Sequence, residues 1–89
     1  MSNLGADVEA LDRLARKFKE EADKIQSAMT AINGQLDAVW WKGRDADNFR
    51  QEWQSHHKPQ LAKIKAALEH AGDKAKREAA QQRHTSGMA

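Results

Sequence analysis

From Leu4 to Val39 the apolar residues fall at Leu4, Val8, Leu11, Ala15, Phe18, Ala22, Ile25, Met29, Ile32, Leu36 and Val39, in steps that alternate strictly between four and three. A mean spacing of 3.5 residues held over five heptads is the signature of a long helix with one apolar seam, and no strand pattern has this period. The residues between are charged or polar, as in Asp12-Arg13, Lys19-Glu20-Glu21 and Asp23-Lys24. They form the solvated side, where Glu20 and Lys24 are spaced as a favourable i,i+4 pair. Asn33-Gly34 is a turn signal inside this run. The seam stays in register across it, so the helix is expected to continue despite a cost of about 1 kcal/mol for an internal glycine.

The repeat ends at Val39-Trp40-Trp41-Lys42-Gly43-Arg44-Asp45. Glycine admits a backbone with positive φ, which suits a helix end, and Asp45 is a good N-cap for a following helix. A second apolar stripe then reads Ala46, Phe49, Trp53, a gap at His56-His57, and Leu61, Ile64, Leu68, Ala71, Ala75 and Ala79. Pro59 lies inside it. An internal proline removes a hydrogen bond and crowds the carbonyl four residues back, so a kink is expected near residues 55–59, with the helix resuming by Leu61. The reading is an all-α, antiparallel helix-turn-helix hairpin: helix 1 over about 5–40, a turn at 41–44, helix 2 over about 45–80 and a flexible tail at 81–89, all in one domain.

A single hairpin leaves this chain with unfinished business. Two packed helices cover only part of each stripe, and the outer sides of Phe18, Ile25, Ile32, Leu61, Ile64 and Leu68 would face water. Apolar surface of that extent marks an interface. The remedy is a second hairpin, which makes an antiparallel four-helix bundle with crossing angles of about 20°. The residues expected in the core or at the dimer interface are Leu11, Phe18, Ile25, Met29, Ile32, Leu36, Val39, Trp40, Phe49, Trp53, Leu61, Ile64 and Leu68. Because adjacent helical residues cannot face one core, Trp40 and Trp41 must divide their roles.

Charge and composition narrow the function. The net charge is +2, but residues 1–40 hold five Lys/Arg against seven Asp/Glu while residues 41–89 hold ten against six. Such asymmetry suits self-association or an acidic partner surface. It is too mixed for a nucleic-acid surface, and the basic stretch Lys74-Ala75-Lys76-Arg77 includes no stacking aromatic. There is no Cys, which excludes disulfides and thiolate metal sites. His56 and His57 point about 100° apart on a helix and do not chelate as an i,i+4 pair does. His57 falls at a stripe position, so a pH-sensitive contact is the livelier reading of that pair. No serine has a base and an acid at catalytic spacing, and no phosphate loop is present. Neither an enzyme nor a cofactor is expected. No apolar run approaches a membrane span, and the N-terminus lacks the basic and apolar segments of a signal peptide.

These features together resemble the WXG100 (ESAT-6-like) family. The motif is Trp41-Lys42-Gly43, with Phe49 and Trp53 in the first turns after it and Pro59 at the kink, and the resemblance covers the whole chain. It implies helical hairpins that pair as antiparallel homodimers or heterodimers. It also implies export in the folded state by type VII (ESX-type) secretion systems of actinobacteria and firmicutes, without a cleaved signal peptide. Family pairs carry a Tyr-x-x-x-Asp/Glu signal after helix 2 of one subunit, read by the secretion ATPase. This chain has no Tyr, so it looks like the subunit that lacks the signal and travels with a WXG100-family partner that has it. A heterodimer is favoured over a homodimer, with the ATPase reached through the partner's signal, and neither nucleic acid nor stable membrane insertion is expected. Trp41 and Gly43 either shape the turn alone or also border the partner's signal. The alternative function is a coiled-coil adaptor or assembly factor that is never secreted; a weaker one is a small basic helical protein that binds nucleic acid.

Overall fold

Asp7 opens the first helix. Its backbone is extended and its side chain accepts a 3.0 Å hydrogen bond from the Ala10 amide, which satisfies one of the donors that a helix start leaves free. The computed structural model describes residues 6–87. Leu4 and the expected start of helix 1 at residue 5 lie outside the described residues. Helix α1 (Val8–Ala38) runs unbroken through Asn33-Gly34. It stops two residues short of the expected end. Val39, with φ −72° and ψ 132°, is already extended.

The connector is Val39–Gly43, not 41–44. Gly43 takes φ 113° and ψ 179° and stands as the N-cap of α2 (Arg44–Glu52). The positive φ expected of this glycine is therefore present, but it starts the second helix instead of closing the first. Asp45, expected as the cap, instead lies with Asp47 in the first turn, where a carboxylate complements the helix dipole.

The second arm is long and bent. After α2 come one π-helical turn at Trp53–His57 and then α3 (Lys58–Gly87). The Lys58 amide donates to the Trp53 carbonyl, five residues back. A π turn widens the helix by one residue, and here it falls just ahead of Pro59, where the proline ring would otherwise meet the Ser55 carbonyl. The bend expected over 55–59 is thus built from a wide turn beginning at Trp53. The helix also continues past residue 80 to Gly87, which corrects the expected tail at 81–89 as far as that residue; residues 88–89 lie outside the described residues. Gln81, Gln82 and Arg83 favour helix, and Arg83 pairs with Asp12 across the arms.

That Asp12–Arg83 pair joins the open ends of the arms, while Trp53 meets Asn33 near the bend. The arms are therefore antiparallel, and α1 packs along α3 in a rod of 68 × 18 × 15 Å. The seam between them is built from small residues. Ala22, Ala46, Ala75 and Ala79 are buried, joined by Met29 and Trp53. At Gly72 the backbones come closest: a Cβ built there would stand 3.2 Å from both the Ala15 carbonyl oxygen and the Phe18 Cβ. At Gly34 a Cβ would meet nothing within 4 Å.

The two glycines give opposite predictions for one substitution. Gly34→Ala gains helix propensity at no steric cost, and thermal unfolding should show a gain of about 0.5–1 kcal/mol, or roughly 2–8 °C in Tm. Gly72→Ala gains the same propensity but presses on a backbone carbonyl that cannot yield, and its Tm should not rise. A comparable rise at both positions would remove the close approach as the reason for Gly72.

Candidate functional site

Two surfaces stand out on the rod: the aromatic bend and one long apolar side. The bend is organised by Arg50, a half-buried residue of α2. Its guanidinium donates to the carbonyl oxygens of Trp41 at 3.0 Å, Leu36 at 3.2 Å and Val39 at 3.4 Å. The Leu36 carbonyl is the one that a continuing α1 would have offered to the Trp40 amide. Arg50 takes it instead, so the last turn of α1 and the connector are held by a single cation. The same guanidinium sits 5.9 Å from the Trp41 ring centroid, within cation–π range.

The two tryptophans divide as adjacent residues must. Trp41 is 37% exposed and packs against Phe49, with centroids 5.4 Å apart at 57°. Trp40 is 83% exposed. The fully packed aromatic is Trp53, 7% exposed, whose indole Nε1 donates to Asn33 Oδ1 at 2.6 Å. A shallow cleft at the bend is lined by Leu36, Val39, Trp40, Trp41, Gly43 and Arg50. It gathers the turn motif, Trp41 and Gly43, beside the exposed Trp40.

Along the rod, Met29 and Trp53 are buried. Leu11, Phe18, Ile25, Leu36, Leu61 and Leu68 are half-buried, while Ile32, Val39, Phe49 and Ile64 are exposed, the last at 50%. Leu14, which lies outside the repeat traced in the sequence, is also exposed. At helical spacing Leu14, Phe18, Ile25 and Ile32 form one line down α1. A monomeric rod therefore carries a continuous apolar side that its own second arm does not cover.

Charged groups elsewhere make local pairs. The Lys24 ammonium donates to Glu21 at 2.8 Å and Lys17 lies 3.6 Å from the same carboxylate. The hydrogen bond from Lys24 holds the Glu21 carboxyl below its ordinary pKa, and that from Arg83 does so for Asp12. His56 and His57 are exposed, with their rings edge to face and centroids 6.2 Å apart. Among the described residues no group of three or more His, Cys, Asp or Glu side chains converges.

Arg50 and Asn33 were not marked by the sequence. Asn33 does fall four residues after Met29, on the seam, where a polar residue implies a partner. Its place before Gly34 made it read as a turn signal. Arg50 has no such mark, because its acceptors are main-chain carbonyls. Comparison with protein-family models, curated proteins and solved structures returns no match for this sequence.

Proposed function

We propose that this chain is a WXG100-like subunit, and that it works by pairing its open apolar side with a second helical hairpin to form a four-helix bundle. It is exported in that bundle by a type VII secretion system. The observation that carries the reading is a Trp-x-Gly motif, Trp41-Lys42-Gly43, at the bend of a two-armed rod whose long apolar side has no cover within the chain. A side lined by Leu14, Ile32 and Ile64 loses free energy to water at about 25 cal/mol per Å². Pairing recovers it, and the shape of the rod suits a second hairpin of the same length laid alongside.

The missing Tyr makes this chain the passenger in the pair. The export signal belongs to the partner, and the ATPase is reached through it. The protein is then made in the cytoplasm and released without cleavage. No helix among the described residues is long and apolar enough to cross a membrane.

The test is fractionation of cultures of the source cells. The chain should appear in the medium when the secretion ATPase is intact and remain in the cells when it is removed. Deleting the co-exported partner should have the same effect as removing the ATPase. Retention in the cells under all conditions would favour the adaptor or assembly factor instead.

A further inference from the structure

The open apolar side is matched by an uneven charge along the rod. From Trp53 to Leu68 the second arm carries Lys58, Lys63 and Lys65 and no carboxylate, and on α1 the stretch Ile25–Leu36 carries no charged side chain at all. These stretches lie side by side, bounded by the Trp53–Asn33 contact at one end and the approach of Gly72 to Phe18 at the other. Lys65 reaches Glu69 at 3.5 Å. Lys58 and Lys63 pair with no carboxylate among the described residues. The central part of the rod is thus +3 with nothing negative in it.

The remaining parts do not supply the complement. The open end, residues 8–24 with 69–84, has nine cations to eight anions, a net +1. The bend, residues 37–52, has three to four, a net −1. Two copies laid antiparallel about a twofold axis bring the central +3 of one against itself and against the +1 open end of the other. Two copies laid parallel bring +3 against +3. Only the short bend is negative, and it cannot reach the middle of a paired rod. Like charges brought together at an interface disfavour the pair and select against the wrong partner.

Resting on the pairing proposed above, we infer that the occupant of the open side is a different chain: a helical hairpin with Asp or Glu flanking its own apolar seam at mid-length. The apolar side supplies the adhesion, and the lysine stretch supplies the choice of partner. The sequence needs no buried charge to achieve this. Rim charges act through the field, so the discrimination should be sensitive to salt.

The chain itself provides the probe. Lys58→Glu/Lys63→Glu turns the central +3 into −1 and the net charge from +2 to −2, while leaving Leu14, Ile32 and Ile64 in place. Labelled double variant is titrated with wild type, and wild type with itself, with circular dichroism confirming that each is helical. At about 20 mM salt the mixed pair should bind about ten-fold more tightly than wild type binds itself. At about 500 mM salt, where the Debye length is only a few Å, that ratio should fall towards one. Wild type binding itself as tightly as the mixed pair at low salt would overturn the inference and leave pairing and export standing. Helical chains that pair in no combination at either salt would remove the inference and the pairing beneath it.

Discussion

Trp53→Ala should unfold most of this protein at physiological temperature. Truncating a buried Trp typically costs about 3–5 kcal/mol, and a chain of 89 residues has a total stability of only about 4–13 kcal/mol. The site cannot close on the gap. Trp53 is the largest side chain among the buried ones, its neighbours on the seam are alanines, and α1 is a straight helix that cannot bend inward locally. The substitution also strips Asn33 of its partner in a half-buried position, where an unmade hydrogen bond costs a further 1–3 kcal/mol or so. Trp53→Phe separates the two effects. It keeps most of the packing and should lose only about 1–2 kcal/mol, chiefly the Asn33 bond. By contrast Trp40→Ala should stay within about 0.5 kcal/mol of wild type, as surface changes do, because Trp40 is 83% exposed. Denaturant unfolding monitored by circular dichroism measures all three. If Trp53→Ala melts with the wild type, the tryptophan is not the keystone of the bend-side core.

The ranking of the three tryptophans was only half legible beforehand. Sequence reasoning placed the aromatic wedge at Trp40-Trp41, where the motif draws attention, and expected Trp41 to carry the large energetic effect. The structure gives that role to Trp53, and the reason is the π turn. From Trp53 to Leu61 is eight residues, one more than two steps of a 3.5-residue repeat require. That surplus residue was visible as the gap at His56-His57. It is absorbed where the helix widens, which rotates Trp53 onto the seam beside Asn33.

The long periodic segments, by comparison, were easily read. A strict alternation of four and three leaves little choice but α1, and the stripe from Leu61 to Ala79 fixes the face of α3 that meets it. Ends were read less well, because they depend on single hydrogen bonds. Asp7 moves the start of α1 to Val8, the Arg50 guanidinium draws its end back to Ala38, and Arg83 with Asp12 extends α3 beyond residue 80. None of these follows from periodicity. The small seam was visible as the run Ala71-Gly72, Ala75 and Ala79, but that Gly72 permits contact with the Ala15 carbonyl needed the two backbones side by side. Where apolar cover is missing follows from the same geometry. A seam of alanines brings the arms so close that the larger side chains of α1 spill over one edge, which is why Leu14, outside the repeat, joins Ile32 on the open side.

Gly43→Ala should destabilise the hairpin by about 1–3 kcal/mol, the usual cost of holding an L residue in a glycine-only region. With φ 113° and ψ 179°, Gly43 occupies the mirror image of the extended conformation. A Cβ there would meet no atom within 4 Å, so the loss comes from the backbone alone and not from crowding. This makes a clean comparison possible. A D-alanine at position 43, introduced by chemical synthesis, favours this same φ and ψ. It should therefore stabilise the protein relative to glycine, by about 0.4–1 kcal/mol, through a stiffer unfolded chain. The pair also separates shaping the turn from recognising a ligand. Both variants present a methyl group into open space at the bend, beside Trp40 and Trp41. If the motif only shapes the turn, binding of a partner hairpin should follow stability: weakened by the L residue, and unchanged or strengthened by the D residue. If the bend is itself a recognition surface, the D residue should weaken binding while raising the melting temperature. A D residue that lowers stability as much as the L residue would mean that the connector is not held in this conformation, and that Arg50, with its three carbonyl acceptors, does not lock the bend.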